Sequence, residues 1–273
     1  MDYQNIVWEK QGNFGVITLN RPKSLNALSR DLLAELESLV KDIDKDENIR
    51  AYIITGAPRP DGRPCFSAGA DLKQENTETR SKEKIVFDTL FSVASRKNAT
   101  GLAGTAVAFD DLGFSPKISI AAIDGVCTAG GLELALSCDI ILVSETAQIS
   151  DLHVRNLGLI GGAGATTRLA RRVGVSKAIE LACTCDVIDG KEAHRIHFAN
   201  QVYPPTELLP KAKAMAEKIA SMRPAALAMA KATCRAIYEM DPGMAARYTD
   251  ACSMAIHFGE DEWREQNQGG WKK

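Results

Sequence analysis

Short apolar runs and one long amphipathic stretch alternate along the first 170 residues. GVITLN (15–20) is β-branched and closed by the turn-like Asn20-Arg21-Pro22, so it predicts a strand. SRDLLAELESLVKDIDKD (29–46) puts Leu32, Leu33, Leu36, Leu39, Val40 and Ile43 on one face. That period predicts a helix, with Ser29 as its N-cap. AYIITG (51–56), ISIAAIDG (118–125) and DIILVS (139–144) predict three further strands. Between them, APRPDGRP is a polar loop leading into CFSAGADLKQ. Residues 72–112 are charged first and then rich in Gly, Ala and Thr. They predict a helix followed by a long mobile connection. From about 175 onward the pattern is helical. ELLPKAKAMAEKIASMRPAALAMAKATCRAIYE (207–239) is punctuated by Pro224, and 243–264 is a further helix. The closing GGWKK is expected to be frayed or locally docked. Strand, glycine turn and helix thus recur, which is an α/β arrangement with a mainly parallel sheet.

Composition narrows the class without naming a function. The 273 residues suffice for one large domain, or one domain with an appendage. Lys and Arg number 33 against 35 Asp and Glu, and the basic residues are scattered. No basic face for nucleic acid is implied. No run of about 18 apolar residues predicts a membrane span. The opening MDYQNIVWEKQGNFG has neither the basic nor the apolar region of a secretory signal. Seven cysteines, with one Cys183-x-Cys185 and the rest isolated, suggest neither a disulfide framework nor a metal site. Cys127, Cys138 and Cys252 read as small core residues. A reducing compartment, the cytoplasm, is expected.

Two glycine turns could carry chemistry. SAGADLKQ (67–74) and TAGGLELAL (128–136) each place small residues at a strand exit, with a helix to follow. Small residues let a ligand approach the backbone, and the first amides of a helix point outward unpaired. One donor from each turn could stabilise a carbonyl oxygen that gains negative charge. The same sequences equally suit plain tight turns. Glu133 stands alone in the apolar LELALSC. It is either a favourable charge in a first helical turn, or a desolvated carboxyl usable as an acid/base. GLIGGAGATTRLARR (158–172) holds a G-x-G before a helix. It lies mid-chain and has Thr167 at the third glycine position, a weak dinucleotide pattern. There is no Walker loop and no G-x-S-x-G. His153, His194, His197 and His257 show no metal-binding spacing; His194 and His197 fit an exposed helix face, and His153 lies nearest the glycine-rich region.

The order of these motifs is distinctive. NRPKSLNALS (20–29), CFSAGADLKQ (65–74), AAIDGVCTAGGLELALSCDI (121–140) and LGLIGGAGATTRLARRVG (157–174) together resemble the crotonase superfamily, enoyl-CoA hydratase/isomerase. The resemblance covers roughly residues 3–220. It implies a spiral of repeated ββα units over residues 1–200, holding the active site. It implies a C-terminal helical region, 201–273, that builds homotrimers or homohexamers. The substrate would be an acyl thioester of coenzyme A, with no separate cofactor and no metal. The amides at Ala70 and Gly130 would bind the thioester oxygen. Lys23, Ser24 and Leu25, with Ala68, Asp71 and Leu72, match the CoA-binding segments. Glu133 matches the first of the two glutamates of hydratases.

The second glutamate is missing. Counting back four from Gly158 reaches Val154, and counting forward from Ala147-Gln148 reaches His153, because this chain is one residue longer here. Neither is acidic, and Asp151 is the nearest carboxylate. The resemblance then implies that Asp151 or His153 completes the catalytic set with Glu133, or that the same enolate serves other chemistry. The expected activity is enoyl-CoA hydratase/dehydratase. Alternatives are a double-bond isomerase, an acyl-CoA hydrolase, or a non-catalytic acyl-CoA-binding relative; the GGAGATT turn would instead suit a nucleotide-binding oxidoreductase. His197 stands where the family has a glycine turn, and the tail HFGEDEWREQNQGGWKK lacks the family's usual ending.

Overall fold

The structure is a computed structural model that describes residues 3–75, 109 and 112–257. Most of the connection expected between 72 and 112, and the end of the helix expected over 243–264, lie outside the described residues.

The main sheet comprises β1 (Ile6–Gln11), β2 (Phe14–Leu19), β3 (Ala51–Gly56), β5 (Ile118–Ile123), β7 (Ile140–Ser144) and β9 (Gln201–Tyr203), in that spatial order. β1 runs antiparallel to β2, and every other pairing is parallel. A smaller parallel sheet is built from β4 (Cys65–Ser67), β6 (Val126–Thr128) and β8 (Gln148–Ser150). Each main-sheet strand β3, β5 and β7 leads into its small-sheet partner and then into a helix. These helices are α2 (Leu72–Glu75), α3 (Gly130–Ser137) and α4 (His153–Leu157). The chain therefore climbs in repeated ββα turns.

The main sheet is covered on both faces, which explains strands that read as unbroken apolar runs. Ile17, Tyr52, Ile54, Ala121 and Val143 alternate into the core shared with α1 (Arg30–Lys45) and α3. Val16, Ile53, Ile120, Ala122 and Leu142 face the other way, against Leu208, Ala212, Ala216 and Ala220 of α8 (Pro205–Ala220). Helix α1 follows its pattern. The Ser29 side chain accepts from the Leu32 amide at 3.2 Å, and the six predicted apolar residues are buried. Each contributes about 2 kcal/mol by leaving water. Helix α3 is buried on every side, so its sequence is apolar apart from Glu133 and Ser137.

The chain beyond 175 is not helical throughout. After α5 (Ala165–Val173), α6 (Val175–Thr184) and α7 (Gly190–Arg195), the three-residue β9 adds to the edge of the main sheet. The helix expected across 207–239 divides at the proline, into α8 and α9 (Pro224–Ala236), before α10 (Pro242–His257). The short strands β4, β6, β8 and β9 have too few residues for period-two alternation to show. His197 takes φ +64°, a left-handed conformation at the position where a glycine turn was expected. No described helix is long and apolar enough to cross a membrane.

Candidate active site

Three parallel strands that end together set the site. β4, β6 and β8 are paired, with Ser67 opposite Cys127 and Thr128 opposite Ser150. The residues after each strand therefore emerge side by side at the carboxyl edge. These are Ala68–Ala70, Ala129–Glu133 and Asp151–His153. Hydrogen bonds tie the three exits together. Ala129 N donates to Ser150 O at 3.3 Å, and Thr128 Oγ1 donates to Ala68 O at 3.2 Å.

The first exit is held from behind by a residue the sequence reading did not single out. Asn26 is fully buried. Its Nδ2 donates to Ala57 O and Cys65 O, both at 2.8 Å, and its Oδ1 accepts from Arg21 N at 3.0 Å. Ser67 Oγ then donates to Asn26 O at 2.8 Å and accepts from Gly69 N at 3.2 Å. Leu28 braces the turn by accepting from Asp71 N and donating to Gly69 O. At the second exit Ala129 has φ +48° and ψ −119°, a costly conformation for a residue with a side chain. It turns the chain so that Gly130 opens α3 with its amide outward. The turns nearly touch, since a methyl on Gly130 would stand 3.1 Å from Ala70 N. Neither the Ala70 nor the Gly130 amide donates to a protein acceptor among the described residues. Two unspent donors thus face one cavity, an arrangement suited to an oxygen that gains charge.

Glu133 lies one turn into α3 and is only 3% exposed. Its Oε1 accepts from Ala163 N at 2.9 Å. Burial pushes its carboxyl above the ordinary value. The charge on His153 and the amides of Ala163 and Ala165 pull the other way without cancelling that effect. His153 is buried beside it, with Nε2 3.9 Å from Glu133 Oε2. The opposite ring nitrogen, Nδ1, lies 2.6 Å from Asp151 Oδ1, which also accepts from the His153 amide at 3.2 Å. One buried carboxylate oxygen thus fixes both backbone and ring. Burial alone would lower the imidazole pKa. The Asp151 hydrogen bond and the charges of Glu133 and Asp151 outweigh it and hold the pKa above its usual value.

A cavity of about 300 Å³ opens onto these groups. Of the residues singled out in the sequence, Ala68, Ala70, Leu72, Gly130, Glu133 and His153 line it. Asp151 sits behind His153. Lys23 and Ser24 belong to the 3₁₀ turn Pro22–Ser24, and the Leu25 carbonyl accepts from the Ala68 amide at 3.0 Å. Asp71 pairs with Arg21 at 2.8 Å. None of these four is part of the cavity wall. The glycine-rich 158–164 turn, which looked faintly like a dinucleotide loop, supplies Gly162 and Ala163 to the wall and the Ala163 amide to Glu133. Its role was hidden because a backbone amide leaves no side-chain signature.

A second cavity, about 630 Å³, opens at the far ends of α3 and α5. It is larger but lacks the acid/base pair and the free amides. Asp139 there binds Lys231 at 2.8 Å and Arg235 at 2.7 Å, clasping α9 to the core. The buried cysteines are equally unsuited to chemistry. Burial pushes the Cys65 thiol to about 11 and the Cys138 thiol to about 12.

The chain is similar to known proteins over most of its length. A family model described as enoyl-CoA hydratase/isomerase matches residues 9–269. The chain is 40% identical over 232 residues to a Dictyostelium discoideum protein named "Probable enoyl-CoA hydratase, mitochondrial", covering 85% of this chain and 76% of that one. It is 38% identical over 231 residues to the short-chain-enoyl-CoA hydratase of Clostridium acetobutylicum, covering 85% and 81%. Among solved structures, the enoyl-CoA hydratase of Bacillus anthracis superposes with a TM-score of 0.84 at 31% identity, covering 96% of this chain and 95% of that one.

Proposed function

The chain belongs to the enoyl-CoA hydratase/isomerase family, with the crotonase fold, and from that premise we propose that it adds water to the double bond of an enoyl-CoA thioester and catalyses the reverse dehydration. One observation carries the reading. Glu133 and the Asp151-supported His153 face each other in the cavity that receives the Ala70 and Gly130 amides. Water addition to an enoyl thioester needs a base for the water, an acid for the α-carbon and donors for the enolate oxygen.

The groups divide the work as follows. We assign the pair's proton to His153, because the Asp151 hydrogen bond and the charges of Glu133 and Asp151 favour its protonated form. Both ring N–H groups then point at carboxylates. The Glu133 carboxylate takes a proton from water as its oxygen bonds to the β-carbon. The double-bond electrons pass to the thioester oxygen, where the Ala70 and Gly130 amides donate. The enolate then collapses and its α-carbon takes the proton from His153 Nε2. This leaves Glu133 protonated and His153 neutral. Return of the proton from Glu133 Oε2 to His153 Nε2 restores the starting state. Asp151 holds the ring and favours its charged form, a positioning role.

The Asp151–His153 contact favours one further reading, thioester hydrolysis, in which a neutral His153 takes the proton of an attacking water. Product analysis separates the possibilities. Hydration adds the mass of one water, isomerisation leaves the mass unchanged, and hydrolysis frees the CoA thiol. A hydrated product supports the proposal, and either other product overturns it.

For the carrier, the free Ala70 and Gly130 amides mark the thioester end, and we place the pantetheine beside Ala68 and Leu72. We assign Lys23, Ser24, Leu25 and Asp71 to the remainder of the CoA carrier. No cofactor or metal enters this scheme. We also infer assembly as a homotrimer or a dimer of trimers through residues 201–273. Ile237, Tyr238, Met244 and Met254 of that region are 54–69% exposed, more apolar surface than an isolated chain needs. Seven unpaired cysteines support a reducing compartment, the cytoplasm.

A further inference from the structure

We infer that Gly161 sets the spacing of the Glu133–His153 pair, its missing side chain being what seats an imidazole beside the carboxylate. The inference rests on the acid/base role proposed for that pair. Gly161 is buried, and it is not among the glycines with positive φ. Its backbone torsions therefore do not require glycine, but its surroundings do. A Cβ there would stand 2.5 Å from Glu133 Oε1, 2.8 Å from His153 Cε1 and 2.8 Å from Ala165 Cβ. All three lie well inside ordinary carbon contact distances.

Neither side chain of the pair can step aside freely. Glu133 Oε1 is tethered to the Ala163 amide, two residues along the same turn. His153 is tethered from behind by Asp151, through both its ring and its amide. An added methyl must therefore break one of those bonds or push carboxylate and imidazole apart. The present 3.9 Å already exceeds a hydrogen bond, so the proton returns only when the pair closes up or through one bridging water, and further separation removes the direct approach. Gly161 is absent from the cavity wall, whereas its neighbours Gly162 and Ala163 line it. It acts as a positioning residue, through the pair rather than on the substrate.

The test is Gly161→Ala in the full chain, read three ways. Turnover of an enoyl-CoA should fall by about 10²-fold or more while KM changes by less than about threefold. The His153 Cε1 proton, followed by NMR, should titrate at lower pH, because the Glu133 charge that raises it has moved away. The third reading needs no activity. In urea denaturation, Gly161→Ala should cost the wild-type chain more stability than it costs a Glu133→Ala/His153→Ala chain, in which the two crowded groups are gone. Equal cost in both backgrounds, or an unchanged His153 midpoint with turnover within about threefold, overturns the inference. If Gly161→Ala folds too poorly for kinetics, the denaturation cycle decides, measured by urea midpoints at low temperature. If no enoyl-CoA is turned over at all, the hydratase reading fails, while the NMR and stability results still report on Gly161.

Discussion

His153 presents one ring nitrogen to Asp151 Oδ1 at 2.6 Å and the other to Glu133 Oε2 at 3.9 Å, so a single imidazole joins two buried carboxylates. The short contact fixes the ring, and the longer one is a gap that the pair must close, or one water must bridge, before a proton passes. Both carboxylates are about 97% removed from solvent, so neither interaction is diluted by water.

Replacing Glu133 by Gln keeps the shape and the Ala163 hydrogen bond but removes the base. Turnover of an enoyl-CoA should fall by about 10³-fold, within the range for losing a general acid or base. Binding of a non-reactive acyl-CoA, measured by calorimetry, should stay within about threefold of wild type.

The pH profile follows from the directions of the two shifts. Activity needs Glu133 ionised and His153 protonated. It should therefore rise with pH through a carboxyl pKa above the ordinary 4.5, and fall through an imidazole pKa above the ordinary 6.5. Asp151→Asn removes the charge, and weakens the hydrogen bond, that raise the imidazole. Its descending limb should move to lower pH in a plot of kcat/KM, with the ascending limb changing less.

Asn26 should matter more to stability than its type suggests. Asn26→Ala leaves Ala57 O, Cys65 O and Arg21 N without their buried partner. A loss of about 3 kcal/mol is expected from those groups, seen as a lower urea midpoint. The first glycine turn loosens with it, so kcat should fall as well.

The C-terminal helices predict the assembled mass. Helix α9 buries only Ala236, and α10 only Cys252, among their described residues. Light scattering on the eluting protein should give three or six times the 29.5 kDa chain. A charged replacement at Met254, which is 69% exposed, should shift that mass downward without unfolding the core.

The sequence carried most of the longer elements, though not β1, whose six residues are mostly exposed or half-buried and polar after Trp8. The predicted bounds of α1, of β3 and of the main-sheet strands around it differ from those observed by at most two residues, because each has a full apolar pattern and a clear stop. The short small-sheet strands were not legible, yet it is their shared exit edge that assembles the site. Glu133 stood out because a charge inside an apolar helix is conspicuous. Ala163, Asn26 and Gly161 did not, since a backbone amide, a buried turn residue and an absent side chain acquire meaning only from their neighbours in space. Counting from two sides left Val154 and His153 in contention for the missing carboxylate. The structure separates them: Val154 is 41% exposed, and His153 points at Glu133.

The most direct test of the central claim is the turnover number of His153→Ala on an enoyl-CoA thioester, measured beside its affinity for a non-reactive acyl-CoA. The account predicts a drop of about 10²- to 10⁴-fold in turnover with affinity preserved. Turnover within about twofold of wild type would contradict it, because Glu133 would then be working without the partner that holds and returns its proton.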